Sequence, residues 1–115
     1  MIKVNGLKSC DTCKKALKWL AAEGLEHTFR DVREDAVSLT EIVRWGDAVG
    51  WEKLVNKAST TWRGLTEAEK ATAMGKDAAQ LLVANPTLIK RPVFEMDATV
   101  LIGFKADQQA ALKAG

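Results

Sequence analysis

The pattern of apolar and polar residues in the first third of the chain predicts a strand, a helix and a second strand. Residues 2–4 form a short apolar run that ends at Asn5 and Gly6, which is typical of a strand entering a turn. A helix is predicted from about Asp11 to Gly24, where apolar positions recur at intervals of three and four: Cys13, Leu17, Leu20 and Ala21. Alternation over residues 27–32 then predicts the second strand.

The middle of the chain is predicted to be helical. Ser38 and Glu41 have the spacing of a capping box and precede an apolar stripe, so a helix should begin there. We expect Gly46 and Gly50 to interrupt it. Further helical segments are predicted near Trp51, from Thr66, and over residues 77–84.

The last third of the chain predicts a hairpin and a final helix. Two short apolar runs, over residues 93–96 and 99–102, flank a turn at Asp97 and Ala98. Residues 106–114 form an amphipathic helix whose predicted inner residues are Ala110, Ala111 and Leu112. A β-α-β half requires parallel strands with a right-handed crossover. The predicted fold class is therefore α/β, with a four-stranded mixed sheet in the thioredoxin arrangement.

Composition places the chain among soluble single-domain proteins. It has 115 residues, 47% hydrophobic and 28% charged, with a net charge of +2. This charge is too small to indicate direct nucleic-acid binding. No apolar run is long enough to cross a membrane, and the first residues lack the features of a signal peptide. We therefore expect no membrane association and a cytoplasmic location.

Two cysteines, Cys10 and Cys13, carry the candidate chemistry. A disulfide framework needs more cysteines, and a zinc site usually needs four ligands, whereas the chain has a single histidine, His27. No metal site is therefore predicted. The C-x-x-C spacing in an intracellular protein indicates thiol chemistry instead.

Cys10 is predicted at the junction between the first loop and the first helix. The free N–H groups of the first helical turn stabilise a thiolate there, and Lys8 adds positive charge while Asp11 opposes it. Cys10 is therefore the expected nucleophile; the alternative is a capping or buried cysteine without reactivity. Cys13 lies one turn further along. It either resolves a disulfide on Cys10 or packs in the core as part of the apolar stripe.

Three segments resemble the ArsC/Spx family of arsenate-reductase-like proteins, closest to its YffB-like branch. They are Gly6-x-Lys8-x-Cys10-Asp11-Thr12-x-Lys14-Lys15-Ala16, then Ser59-Thr60-Thr61-Trp62-Arg63-Gly64-Leu65, and finally Ile89-Lys90-Arg91-Pro92-Val93 with Leu101-Ile102-Gly103-Phe104-Lys105. The resemblance covers nearly the whole chain. It implies a single ArsC-like domain, with a thioredoxin-like core over residues 1–34 and 87–115 and a helical insertion over residues 35–86.

The resemblance also implies site residues. It predicts that Arg91 lies close to Cys10 and that the Arg91–Pro92 peptide bond is cis. An arginine there would stabilise a thiolate and bind an anionic group. The predicted catalytic residues are Cys10, Arg91 and Cys13. The predicted substrate-binding residues are Lys8, Thr60, Arg63 and Pro92; for Thr60, as for Thr61, the alternative is a cap for the next helix.

The activity expected first is that of a thiol-dependent oxidoreductase. Cys10 would be its nucleophile, and glutathione or glutaredoxin would be the partner. We predict no bound cofactor, glutathione as co-substrate, and a monomer. The alternative is an Spx-like redox-sensing regulator that binds the α-subunit of RNA polymerase through a Cys10–Cys13 switch.

Arsenate reduction is the third hypothesis. Glutathione-dependent arsenate reductases, which this chain resembles in Cys10 and Arg91, use further arginines to hold the oxyanion. This sequence has Lys57-Ala58-Ser59 and Phe104-Lys105 where those arginines are expected. We therefore expect a pocket that binds arsenate poorly.

Overall fold

Four strands form one mixed sheet in the computed structural model, which describes residues Met1–Gly115. The strands are β1 (Ile2–Gly6), β2 (His27–Asp31), β3 (Val93–Met96) and β4 (Thr99–Ile102). Their order is β2-β1-β3-β4; β1 and β2 are parallel, and the other two neighbouring pairs are antiparallel. The predicted α/β class and four-stranded mixed sheet are confirmed.

Seven α-helices accompany the sheet. They are α1 (Asp11–Ala22), α2 (Leu39–Val49), α3 (Trp51–Leu54), α4 (Thr60–Arg63), α5 (Glu67–Ala71), α6 (Ala78–Ala84) and α7 (Ala106–Ala114). Two single-turn 3-10 helices, Gly75–Asp77 and Pro86–Leu88, flank α6. No helix combines the length and the apolar character that crossing a bilayer requires.

The chain divides into two compact units, the first comprising Met1–Val32 with Arg91–Gly115 and the second Arg33–Lys90. In the first unit, α1 and α7 pack on one face of the sheet. The buried residues of this core are Ile2, Val4, Ala16, Leu20, Phe94 and Leu112. An ion pair of 2.8 Å between Lys113 Nζ and Glu23 Oε1 also joins the end of α7 to the end of α1. The interpretation as a single ArsC-like domain stays a prediction.

Three details of the first unit differ from the sequence predictions. Asn5 and Gly6 belong to β1 rather than to a turn, because they pair with Arg30 and Asp31 of β2. On α1, Ala16 is buried and Ala21 is exposed. On α7, only Leu112 of the three predicted inner residues is buried, and Ala110 is exposed. Periodicity thus identified both helices, but not every apolar residue that it predicted to face the core is buried.

The second unit begins its main helix as the sequence predicted. Ser38 Oγ accepts a hydrogen bond of 3.2 Å from Glu41 N, and Glu41 Oε1 accepts one of 3.1 Å from Ser38 N. Gly46 does not interrupt α2, contrary to expectation. The ring of Trp51 occupies the space that a Cβ on residue 46 would need, so the glycine permits close packing.

Helix α4 was not predicted as a helix. Its N-cap is Ser59, whose Oγ accepts a hydrogen bond of 3.1 Å from Trp62 N, so the interpretation of Thr60 as a cap is wrong. A hydrogen bond of 2.6 Å between the hydroxyls of Thr61 and Thr87 joins α4 to the segment after α6. Four residues are too few for a periodic signal, which explains why the pattern did not show this helix.

Candidate active site

A tight turn connects the end of β1 to the start of α1. The backbone N–H of Cys10 donates to the carbonyl of Leu7 at 3.1 Å, which closes the turn. Lys8 N, inside the turn, donates to Asp31 Oδ2 at 2.9 Å. Val32 N donates to the Gly6 carbonyl at 2.9 Å, so the ends of β1 and β2 are joined next to the turn.

Cys10 is the N-cap residue of α1 and is partly exposed. Its carbonyl accepts the first helical hydrogen bond, from Lys14 N at 3.0 Å, and its backbone is extended. Burial raises the pKa of the Cys10 thiol. Two groups of Cys13, its backbone N–H and its thiol, lower this pKa, and so does the Arg91 guanidinium. Together they outweigh the effect of burial, so the pKa is lowered overall. The position thus favours a thiolate with solvent access.

Cys13 is fully buried on the inner face of α1. Its Sγ fills the space beside Gly6 of β1, where any Cβ on residue 6 would overlap the sulfur. The pKa of the Cys13 thiol is raised to about 12, mainly by burial and in smaller part by the neighbouring Cys10. Both cysteines are free thiols, and Cys13 remains protonated when Cys10 has ionised.

Arg91 and Pro92 approach the same site from the other half of the first unit. Their peptide bond is cis, as the resemblance implied, and Pro92 is buried. The carbonyl of Pro92 accepts a hydrogen bond of 2.9 Å from Gly103 N, so β4 holds the start of β3. Arg91 is partly buried, and its guanidinium is close enough to Cys10 to lower the pKa of that thiol. The Cys10 thiol and the Arg91 guanidinium are therefore neighbours.

The sequence profile of the ArsC family matches residues 6–112, which include all of these site residues. The chain belongs to the ArsC family. Its relatives include an uncharacterized protein of Haemophilus influenzae, 47% identical over 111 residues, which cover 96% of this chain and 97% of the relative. The solved structure of a protein named YFFB is 38% identical, with a TM-score of 0.90 and coverage of 97% of this chain and 98% of that one.

A more distant relative has a regulatory name. The global transcriptional regulator Spx of Staphylococcus epidermidis is 24% identical over 102 residues, which cover 87% of this chain and 77% of the regulator. The resemblance to an ArsC/Spx family, and to its YffB-like members, is thereby confirmed. The family includes proteins named for different functions, so membership alone does not give this ArsC-family protein an activity.

The predicted site residues of this ArsC-family protein lie in both units. Cys10, Cys13, Arg91 and Pro92 come together in the first unit, and Lys8 is exposed in the turn before Cys10. Thr60 and Arg63 are exposed on α4 of the second unit, and their role in substrate binding stays a prediction.

His27 lies at the start of β2, at the end of that strand away from Asp31 and the turn. Its Nδ1 is 2.8 Å from the carbonyl of Leu25, with which it forms a hydrogen bond. The structure contains no group of three or more histidine, cysteine, aspartate or glutamate residues that could hold a metal ion. The groups that lower the pKa of Cys10 are the backbone N–H and thiol of Cys13 and the Arg91 guanidinium.

Two residues at the site were missed by the sequence analysis. Asp31 accepts the hydrogen bond from Lys8 N, and the buried Asn5 donates through Nδ2 to the Val93 carbonyl at 3.2 Å and to Glu95 Oε1 at 3.0 Å. Both lie in strands at the end nearest the turn. Asn5 directly follows the first predicted strand and Asp31 lies near the end of the second, but strand pairing is needed to see what each contacts.

Proposed function

We propose that this protein is a thiol–disulfide oxidoreductase in which Cys10 is the nucleophile and glutathione or glutaredoxin is the thiol partner. One observation carries the proposal: Cys10 is a partly exposed helix N-cap whose pKa is lowered by Cys13 and Arg91 despite burial. A cysteine with a purely structural role requires neither a lowered pKa nor access to solvent. The setting we propose is a monomer in the reducing cytoplasm, with no bound cofactor.

The first step is attack by the Cys10 thiolate on one sulfur of a substrate disulfide. A bond forms between Cys10 Sγ and that sulfur while the substrate S–S bond breaks, and the second substrate sulfur leaves as a thiolate that takes a proton from water. Arg91 stabilises the attacking anion before the step. In the glutathione reaction we assign Arg91 the further role of binding a carboxylate.

The second step uses Cys13. The Cys13 sulfur attacks Cys10 Sγ, the S–S bond between Cys10 and the bound thiol breaks, and the Cys13 proton passes to the departing thiolate, which leaves a Cys10–Cys13 disulfide. Two glutathione molecules, or one reduced glutaredoxin, then supply the two electrons that return the pair to thiols. The raised pKa of Cys13 keeps this thiol protonated, so attack on an external disulfide begins at Cys10 and not at Cys13.

The test uses wild type, Cys10→Ser and Cys13→Ala, each fully reduced and then exposed to oxidised glutathione. Intact mass and peptide mapping give the adducts. We expect a Cys10–Cys13 disulfide in wild type, one glutathionyl group on Cys10 in Cys13→Ala, and no adduct in Cys10→Ser, because Cys13 is buried and its pKa is high. Turnover with a mixed disulfide and glutathione should vanish in Cys10→Ser.

Other outcomes have distinct meanings. A stable glutathione adduct on wild-type Cys10 would make Cys13 a core residue and the protein a one-cysteine enzyme that depends on an outside thiol. Wild-type Cys10 that forms neither an adduct nor a disulfide would contradict the proposal.

A second candidate function is that of a redox-sensing regulator. The observation that favours it is the free Cys10 and Cys13 pair together with the relative named as the global transcriptional regulator Spx. The regulator would bind the α-subunit of RNA polymerase in only one redox state. A pull-down with the purified α-subunit, with reduced and oxidised wild type and with Cys13→Ala, tests it. Equal absence of binding in all three would reject it.

A further inference from the structure

Asp31 lies at the end of β2, directly opposite Gly6 in the parallel pair. Its carboxylate crosses from β2 to the turn that precedes α1, where Oδ2 accepts the hydrogen bond of 2.9 Å from Lys8 N. The same turn is closed by Cys10 N and the Leu7 carbonyl. Asp31 therefore holds the middle of the turn whose last residue is the N-cap of α1.

We propose that Asp31 is a positioning residue for the Cys10 thiol, acting through the backbone of the turn rather than through its charge. The carboxylate holds the backbone of Lys8, and the turn then holds Cys10 at the N-cap of α1, near the Cys13 N–H and Arg91. This inference rests on the proposed function, since it assumes that Cys10 is the nucleophile.

The negative charge of a carboxylate and its hydrogen bond to Lys8 N are expected to act on the Cys10 thiol in opposite directions, which makes the two explanations separable. A carboxylate near a thiol disfavours the thiolate, so removing its charge alone should lower the pKa of Cys10 or leave it unchanged. Removing the acceptor of the Lys8 N hydrogen bond should instead raise the pKa of Cys10. Without the acceptor, the turn is free to move and Cys10 spends less time close to the Cys13 N–H and Arg91.

The variants that separate these effects are Asp31→Ala, Asp31→Asn and Asp31→Glu. Asparagine keeps a carbonyl acceptor at the same distance without the charge. Glutamate keeps the charge but moves the acceptor by one methylene group. Asp11→Asn, at the exposed first position of α1 directly after Cys10, is the control for charge alone.

The measurement is the rate at which iodoacetamide alkylates Cys10 as a function of pH, with peptide mapping to separate Cys10 from Cys13. We expect the pKa of Cys10 to rise in Asp31→Ala and the rate at pH 7 to fall about three- to tenfold. Asp31→Asn should stay within about twofold of wild type, and Asp31→Glu should fall toward Asp31→Ala. Circular dichroism of each variant checks that the fold is kept.

The result that would overturn the proposal is Asp31→Asn behaving like Asp31→Ala, or Asp31→Ala retaining the wild-type profile. If Asp31→Ala fails to fold, the comparison of Asp31→Asn with Asp31→Glu still decides, because a charge effect would leave the glutamate variant like wild type and shift only the asparagine variant. An ordinary thiol pKa for wild-type Cys10 would instead reject the proposed function and the positioning role with it.

Discussion

At the scale of single residues, Cys10 and Cys13 show how one helical turn separates two kinds of thiol. Both belong to the start of α1, but Cys10 lies at the N-cap near the Cys13 N–H and Arg91, while Cys13 packs against β1. The first environment favours the charged form and the second penalises it, so the two pKa values move in opposite directions. The sequence predicts the lowered pKa of Cys10 from the position of this residue at the start of a helix. It left the role of Cys13 open between a core and a resolving residue.

The raised pKa of Cys13 predicts a loss of stability at high pH. The unfolded thiol ionises near its ordinary value of 9.0, whereas the folded one ionises near 12. Between those values the unfolded state holds fewer protons, so the free energy of unfolding falls as pH rises, by at most about 1.4 kcal/mol per pH unit. Below 9.0 this term is constant.

Urea unfolding of wild type and Cys13→Ala under reducing conditions measures the effect. Wild type should be the more stable below pH 9.0, because alanine leaves a cavity, and its advantage should shrink as pH rises above that value. Cys13→Ser, whose hydroxyl does not titrate, should give a profile parallel to that of Cys13→Ala. A wild-type advantage that stays constant up to pH 10.5 would show that Cys13 is not held protonated.

At the scale of elements, helix starts are encoded locally and strand ends are not. The capping boxes of α2 and α5 rest on residues three positions apart, Ser38 with Glu41 and Thr66 with Glu69. The end of β1 depends on pairing with β2 and β3, which lie far away in the sequence. This is why the predicted first strand stops short of Asn5 and Gly6.

The capping box predicts the effect of replacing Ser38. Ser38→Ala removes the acceptor for Glu41 N and should lower the free energy of unfolding by about 1 kcal/mol. Thr40→Ala is the control, because Thr40 is exposed one position inside α2 and alanine is the better helix former. The midpoint of urea unfolding should fall for the first variant and stay level or rise for the second. Equal midpoints would mean that the cap contributes nothing.

At the scale of the whole molecule, residues from both ends of the chain build the unit that carries the thiols. β1 and α1 come from the first residues, and β3, β4 and α7 come from the last. Leu112 of α7 is 1% exposed and packs in the same core as Val4, Leu20 and Phe94. Docking of α7 should therefore contribute to the stability of the entire unit.

Shortening the Leu112 side chain tests this contribution. Leu112→Ala should lower the free energy of unfolding by about 2–5 kcal/mol, because it removes buried methyl groups and leaves a cavity. Leu39→Ala, the same substitution at a side chain 44% exposed, should cost far less. Urea unfolding followed by circular dichroism gives both values. Similar losses in the two variants would mean that α7 is loosely docked.

The sequence by itself determined the parts of this protein that depend on neighbours in the chain. Periodicity predicted the β-α-β order and the final hairpin, capping residues predicted the starts of α2 and α5, and the position of Cys10 before α1 predicted the candidate nucleophile. The tertiary structure decided what depends on distant segments: Asp31 on the turn, Cys13 against Gly6, and Arg91 near Cys10, which the family resemblance alone had implied. The physical reason is that burial and long-range hydrogen bonds arise only when strands pair, and they set the properties of both thiols.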